Sequence, residues 1–211
     1  YSSFGQREVV EMGNGSEEHT MRSEPIRSHV HGRRKRRIAI VGSFSTGKTT
    51  LGNELARLLD LPLLPEVARQ VVELGFKLDK DATPETETLI FLRQWHTEQT
   101  HPEFVGDRSL VDVMAYASWV LENQEFRKEH YLWEACLDIA SENLRSQYSH
   151  VLYLPIEFPI VPDGLRPEDP EFQKDIDTRI LDILRNYDVQ YYTVSGSVDE
   201  RVEQSLRILE D

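Results

Sequence analysis

Gly42-Ser43-Phe44-Ser45-Thr46-Gly47-Lys48-Thr49 carries the spacing G-x-x-x-x-G-K-[ST]. This pattern suits a polyphosphate. Gly42 turns the chain sharply off whatever precedes it, and Gly47 lets backbone approach an anion closely. The main chain of Gly42, Ser43, Ser45, Thr46, Gly47, Lys48, Thr49 and Thr50 then supplies amides that point at the anion, helped by the dipole of the helix that follows. Lys48 can reach the β- and γ-phosphates, and the Thr49 hydroxyl can ligate Mg²⁺. The flanks agree with this reading. Ile38-Ala39-Ile40-Val41 is a short apolar run, and Leu51, Leu55, Leu58 and Leu59 follow at helical spacing. The loop specifies a bound nucleoside triphosphate, not the group that receives its phosphate. The guanine-reading pattern Asn/Thr-Lys-x-Asp is missing, which favours ATP over GTP.

Ligands on open α/β sheets lie beyond the carboxyl ends of the strands. Two carboxylates fall there: Glu66 in Leu63-Leu64-Pro65-Glu66-Val67-Ala68-Arg69, and Asp107 in Phe104-Val105-Gly106-Asp107-Arg108-Ser109. A phosphoryl acceptor needs a carboxylate to orient its hydroxyl and take the proton, and Mg²⁺ needs carboxylate support. Glu66 suits the first role and Asp107 the second; the reverse assignment stays open. The plainer alternatives are a helix N-cap for Asp107 and a first-turn acid for Glu66. Arg69 and Arg108 beside them can hold phosphate or substrate, or form surface ion pairs. Pro155 to Pro170 is rich in Pro, Asp and Gly and reads as a lid, whose Arg166 can neutralise charge on a transferring phosphoryl group. The candidate catalytic set is therefore Lys48, Glu66, Asp107, Arg108 and Arg166. Glu66, Arg69, Asp107 and Arg108 face the substrate, and Thr49 and Asp107 face the metal.

Alternating segments position these residues. Strands are predicted at 38–41, 61–64, 104–107, 150–154 and 189–194. Helices are predicted at 48–59, 66–74, 84–100, near 109–122 and 129–146, at 168–185 and at 198–209. Thr83 reads as the N-cap of the third helix, with Pro84 at its first position and Glu85 and Glu87 as dipole-favoured acids in its first turn. The order implies an α/β fold with a five-stranded, mostly parallel sheet and helices on both faces. Trp95, Tyr116, Trp119 and Trp133 lie in helical segments and read as core, with one or two available to stack on a base. His96 and His101 are five apart and share no helix face, so they make no metal site.

At 211 residues the chain suits one such domain, taken as 36–211, behind a polar tail at 1–35. It opens on Tyr1, with Met12 and Met21 as candidate starts. Its 37 acidic residues against 24 basic ones give a net charge of −13, which disfavours duplex DNA. The run Arg33-Arg34-Lys35-Arg36-Arg37 reads as a solvated stretch before a strand, or as a nuclear-localisation or nucleic-acid patch. Cys136, the single cysteine, reads as a core residue. With no apolar stretch long enough to span a bilayer and no secretory segment, the expected location is the cytoplasm.

From about Arg37 onward, the chain resembles the nicotinamide-riboside-kinase-like P-loop ATPases, typified by the ribosylnicotinamide kinase domain of bacterial NAD-biosynthesis regulators. The likeness rests on Gly42–Thr49, Pro65-Glu66-Val67-Ala68-Arg69, the Gln94-to-Gln99 helix, Val105-Gly106-Asp107-Arg108-Ser109, Val151-Leu152-Tyr153-Leu154, Asp163-Gly164-Leu165-Arg166 and Tyr191–Arg201. It implies a nucleoside-kinase-type fold and ATP-dependent transfer to a ribosyl hydroxyl. It also implies Glu66 and Asp107 at the active site and Arg166 in the lid. Asp107-Arg108-Ser109 is similar to the Glu/Asp-Arg-Ser motif of deoxynucleoside kinases, which implies Arg108 near the phosphoryl acceptor. Leu64-Pro65 and Val67 stand where the family carries aromatic residues, and its DNA-binding and adenylyltransferase parts have no counterpart here. Two other readings accompany this one: a polynucleotide or modified-base kinase, supported by the basic run, and a non-kinase ATP-binding switch.

Overall fold

Ile38, Ala39, Ile40 and Val41 are all completely buried, the signature of a strand covered on both faces. They form most of β1 (Arg37–Val41), the central strand in a computed structural model that describes residues 35–123, 131–161 and 168–210. The tail expected at 1–35, but for Lys35, lies outside the described residues, as do Arg33 and Arg34 of the basic run and the lid tip with Arg166.

The remaining elements alternate: α1 (Lys48–Leu59), β2 (Leu63–Leu64), α2 (Val67–Glu73), α3 (Pro84–Thr100), β3 (Phe104–Asp107), α4 (Leu110–Asn123), α5 (Tyr131–Gln147), β4 (His150–Tyr153), α6 (Pro170–Asn186), β5 (Tyr192–Thr193) and α7 (Val198–Glu210). A single turn of 3₁₀ helix at Asp79–Asp81 precedes α3. The sheet order is β2-β3-β1-β4-β5, and every pairing is parallel. The order reverses at β1, which has β3 on one side and β4 on the other, so the crevice at its carboxyl end is the natural ligand site.

Period-2 alternation divides the core between the two faces. Ala39, Val41, Val151 and Tyr153 pack with Phe91, Leu110, Met114, Ile176 and other side chains of the α3–α6 layer. Ile38, Ile40, Val105, Leu152 and Leu154 pack under α1 and α7, against Leu51 and Leu55. Each such fully buried side chain contributes about 1.5–3 kcal/mol. Cys136 and Trp133 sit in the first cluster, the thiol pushed up to about 11 by burial.

Thr83 caps α3 as expected, accepting from the Thr86 amide at 3.3 Å. The cap of α4 differs from the alternative offered for Asp107. Ser109 and Asp112 form it reciprocally, with the Val111 amide donating to Ser109 Oγ and the Ser109 amide to Asp112 Oδ2. Asp107 is thereby left for the site.

The edge strands are shorter than predicted for a physical reason. Pro62 has no N–H to give, though its carbonyl accepts from the Val105 amide. The Val189 amide closes α6 by donating to the Leu184 carbonyl instead of joining the sheet.

One glycine fixes how β3 ends. A Cβ on Gly106 would lie 2.8 Å from the Arg108 carbonyl oxygen, because the chain doubles back there. Gly106→Ala is expected to cost about 1–3 kcal/mol. Denaturant unfolding reads this as a lower midpoint, and an unchanged midpoint contradicts the turn as described.

Candidate functional site

Gly42 leaves β1 with φ 150°, and a Cβ there would meet the Leu154 carbonyl oxygen at 2.5 Å. The loop therefore starts with a glycine because β4 and its extension crowd it. Several contacts then hold the loop in place. The Gly42 amide donates to Asp112 Oδ1 at 3.2 Å, and Ser43 Oγ donates to the Gln173 carbonyl at 2.8 Å. The Ser43 hydroxyl thus anchors the loop to α6 rather than facing the cleft. Arg201 of α7 donates to the Thr46 carbonyl, pairs with Glu157 and stacks 4.9 Å from the centre of the Phe158 ring.

The Lys48 ammonium lies folded over the loop, donating to the Gly42 carbonyl at 2.7 Å and also to the Ser43 carbonyl. Burial raises the carboxyl groups of Asp112 and Asp177 above their usual range, and the Lys48 charge partly opposes that shift in both.

Thr49 Oγ1 donates to Asp107 Oδ2 at 2.6 Å. A hydroxyl and a carboxylate oxygen at the mouth of a phosphate loop are the hard donors that Mg²⁺ takes alongside water and phosphate. The pair fits that ion chemically, Thr49 as a direct ligand and Asp107 as ligand or support.

Glu66 ends the β2 segment and Arg108 follows β3, and the two are brought together. Arg108 Nε lies 2.8 Å from Glu66 Oε1, both side chains being buried, while Arg69 Nε lies 3.3 Å from the other carboxylate oxygen. Arg69 is half exposed and its pairing is correspondingly weaker. Arg108 has φ 91°, a conformation that strains a non-glycine residue by roughly 1–3 kcal/mol. That backbone directs its guanidinium onto Glu66 and, at 5.0 Å, over the Tyr116 ring. Burial alone would lower its pKa, but Glu66, Tyr116 and Asp112 outweigh burial and hold the guanidinium charged.

Two cavities meet here. The larger cleft is bounded by Ser45–Leu51, Asp107, Arg69, Phe158, Val161, Gly196 and Arg201; the smaller pocket lies among α2, α3 and α4. Glu66 and Arg108 line both. Ser45, Thr46, Gly47, Lys48, Thr49 and Thr50 border the cleft, whereas Gly42 and Ser43 do not line it. Arg166 lies outside the described residues.

Residues not assigned to the site from the sequence complete the pocket. Asp79, Glu87 and Gln94 line it with Tyr116. Glu87, expected as a dipole-favoured acid in the first turn of α3, is 3% exposed, and burial together with the Asp79 charge pushes it up to about 8. A signal for it was present: Glu87, Ile90, Phe91, Gln94 and Glu98 recur at helical spacing and are all buried. Arg201 lies in a segment quoted for its resemblance alone, with no contact to the loop foreseeable from its position. Of the aromatics, Tyr116 borders the pocket, Trp133 packs on Phe91 and Trp119 packs on Phe172.

A glycine-bordered phosphate loop between a buried parallel strand and a helix, with a β3 aspartate bonded to its threonine, defines a P-loop nucleotide-binding protein. The chain belongs to the AAA domain family, which matches residues 37–201. No curated protein matches its sequence.

Among solved structures, the fold is shared with deoxyadenosine kinase from M. mycoides, whose structure holds dCMP and dCDP. That similarity has 16% identity and a TM-score of 0.60 and covers 82% of this chain and 98% of that one. NadR in complex with NR is similar at 17% identity and a TM-score of 0.67, over 84% of this chain and 51% of the NadR chain. The motif resemblance to nucleoside-kinase-like P-loop proteins thus holds at the level of the fold. Among the described residues, no helix is long and apolar enough to cross a membrane.

Proposed function

We propose that this chain is an ATP- and Mg²⁺-dependent kinase that transfers the γ-phosphoryl group to a hydroxyl of a nucleoside or nucleoside-like small molecule. The observation that carries the reading is the shared wall of the two cavities. A triphosphate cleft and a separate pocket meet at one carboxylate, Glu66, and one guanidinium, Arg108. That is the arrangement in-line transfer between two bound molecules needs.

In this mechanism the loop amides and the Lys48 ammonium hold the β- and γ-phosphates. Glu66 orients the acceptor hydroxyl and takes its proton as the oxygen bonds to the γ-phosphorus and the bond to the bridging β–γ oxygen breaks. Arg108 fixes the Glu66 carboxylate and offers charge to the transferring group, with Arg69 at the rim. Arg166 is assigned to the lid that covers the cleft. Mg²⁺, held by Thr49 and Asp107, would neutralise charge on the β- and γ-oxygens. The kinases that share the fold support a phosphotransferase. NadR, a protein solved with NR, supports a ribosyl acceptor and a link to NAD biosynthesis. The expected site of action is the cytoplasm.

Purified protein with labelled ATP, offered nucleosides, nicotinamide riboside and oligonucleotides in turn, tests the assignment. Label is expected on a small nucleoside-class acceptor. Label on oligonucleotide alone would make the chain a polynucleotide kinase, and slow hydrolysis without any transfer would make it a switch. Asp107→Asn is expected to raise the Mg²⁺ concentration for half-maximal rate by roughly tenfold or more while leaving the fold intact. An unchanged Mg²⁺ profile would remove Asp107 from the metal site.

A further inference from the structure

Arg201 is 2% exposed, and its guanidinium acts as a fork. Nη1 donates to the Thr46 carbonyl, and Nη2 pairs with Glu157 Oε2. The same carboxylate oxygen accepts from the Gly196 amide at 2.9 Å, and the guanidinium carbon lies 4.9 Å from the centre of the Phe158 ring. One prong is thus fixed by the segment after β4 and the turn before α7, while the other reaches the phosphate loop. Desolvating a guanidinium is costly, and a buried ion pair repays that cost poorly in stability. Its value here lies in what the second prong holds.

That prong falls on a peptide unit that no other described hydrogen bond holds. Gly47 has φ 89°, and glycine takes negative φ about as readily. The Thr46–Gly47 peptide can therefore flip by half a turn at little intrinsic cost. Among the described residues the Thr46 carbonyl accepts from Arg201 alone, and the Gly47 amide donates to no protein acceptor. A trans peptide points its C=O and N–H to opposite sides. With the carbonyl drawn toward α7, the Gly47 N–H turns away from α7 and into the loop. In the flipped state a carbonyl oxygen would stand there instead and repel a phosphate. Space agrees with this arrangement: a Cβ on Gly47 would lie 3.2 Å from Arg201 Nη1, so glycine lets the fork close.

We infer that Arg201 is a positioning residue for the triphosphate: it selects the orientation of the Thr46–Gly47 peptide in which the Gly47 amide donates to phosphate, with Glu157 holding the guanidinium in place. The inference rests only on the triphosphate half of the kinase reading. A cation on the carbonyl also polarises the peptide, which makes the amide on its far side a stronger donor. Arg201 borders the cleft, so direct contact with the nucleotide is the rival role, and the two differ in sign. Removing the Glu157 carboxylate loosens the fork, which weakens binding through a positioned amide. It also frees a guanidinium and removes a negative charge, which would tighten a direct contact.

Calorimetry of the full chain with MgATP tests this, since Kd belongs to the folded fraction and the stoichiometry reports how large that fraction is. Arg201→Met, unbranched and apolar, is expected to raise Kd by about 10- to 100-fold, the worth of a hydrogen bond to a charged group. Glu157, whose side chain is 31% exposed, supplies a milder variant. Glu157→Ala is expected to raise Kd by about two- to tenfold. The Gly47 amide proton, followed by NMR, is expected to move downfield when MgATP binds to wild type and to lose that movement in Arg201→Met. An unchanged Kd in Arg201→Met, unchanged or tighter binding in Glu157→Ala, or a Gly47 shift that survives the loss of Arg201 each overturns the inference and leaves the kinase reading standing. Wild type that binds MgATP but phosphorylates no acceptor overturns the kinase reading alone. Wild type that takes up no MgATP overturns both.

Discussion

Lys48→Ala is expected to lower the turnover number for phosphoryl transfer by about 10³-fold at saturating ATP. The lysine is buried at the base of the cleft with its ammonium on two loop carbonyls, close enough to exchange them for phosphate oxygens. The alanine variant keeps the loop amides, so it still takes up ATP, more weakly. Its transition state loses the one mobile cation that the described loop supplies.

A second consequence concerns stability and has a definite sign in pH. Asp112 and Asp177 are raised above 3.8 by burial, and the Lys48 charge holds each lower than burial alone would. Without Lys48 both carboxyl groups rise further. An acid whose folded pKa is raised destabilises the fold above its unfolded value, because the unfolded chain then binds fewer protons. The stability gap between wild type and Lys48→Ala is therefore largest at neutral pH. It closes as the pH falls into the carboxylate range, where both acids become protonated in the folded forms of wild type and variant alike. Thermal melting from pH 4 to 8 reads the gap, and steady-state kinetics reads the turnover. Near-wild-type turnover in a folded variant would remove Lys48 from the chemistry.

The parts of the fold that local chemistry dictates are legible in the sequence. The α3 helix is bounded to the residue by Thr83 and Pro84 at its start, and the phosphate loop by its two glycines and the apolar strand before it. Asp107 ends β3 where predicted, and its place beside Thr49 follows from the parallel register that sets Ile40 opposite it. What escaped depends on contacts between residues far apart in the chain. Arg201 meets the Thr46 carbonyl across 155 positions, and nothing around Val198–Glu210 announces it. Glu87 was visible as an acid near a helix start, where the dipole explains it well enough. Only the packing of α3 against α4 turns that face inward. The short edge strands escaped because apolar runs such as Leu61–Leu64 and Val189–Val194 satisfy a strand pattern whether or not a neighbour takes their hydrogen bonds.

Glu66→Gln separates the two carboxylate assignments. The amide keeps an oxygen for Arg108 Nε, 2.8 Å away in the wild type, so the strained Arg108 backbone retains an anchor. What disappears is the negative charge and the capacity to take a proton. Turnover is expected to fall by about 10²–10⁴-fold with the KM for ATP nearly unchanged, because Glu66 touches the acceptor side of the cleft. Stability is expected to fall by about 1–3 kcal/mol, since a buried guanidinium trades its ion pair with a carboxylate for a hydrogen bond to a neutral oxygen. Glu66→Asp keeps the charge but withdraws it by one methylene, and is expected to restore the stability without the turnover. If Glu66→Gln turns over at close to the wild-type rate, the proton goes elsewhere and the reverse assignment applies. Asp107→Asn would then lose turnover at saturating Mg²⁺ instead of merely demanding more of the ion. The two substitutions, each scored for rate at saturating metal and for the metal midpoint, assign both carboxylates from four measurements. The base is the one whose amide variant no excess of Mg²⁺ rescues.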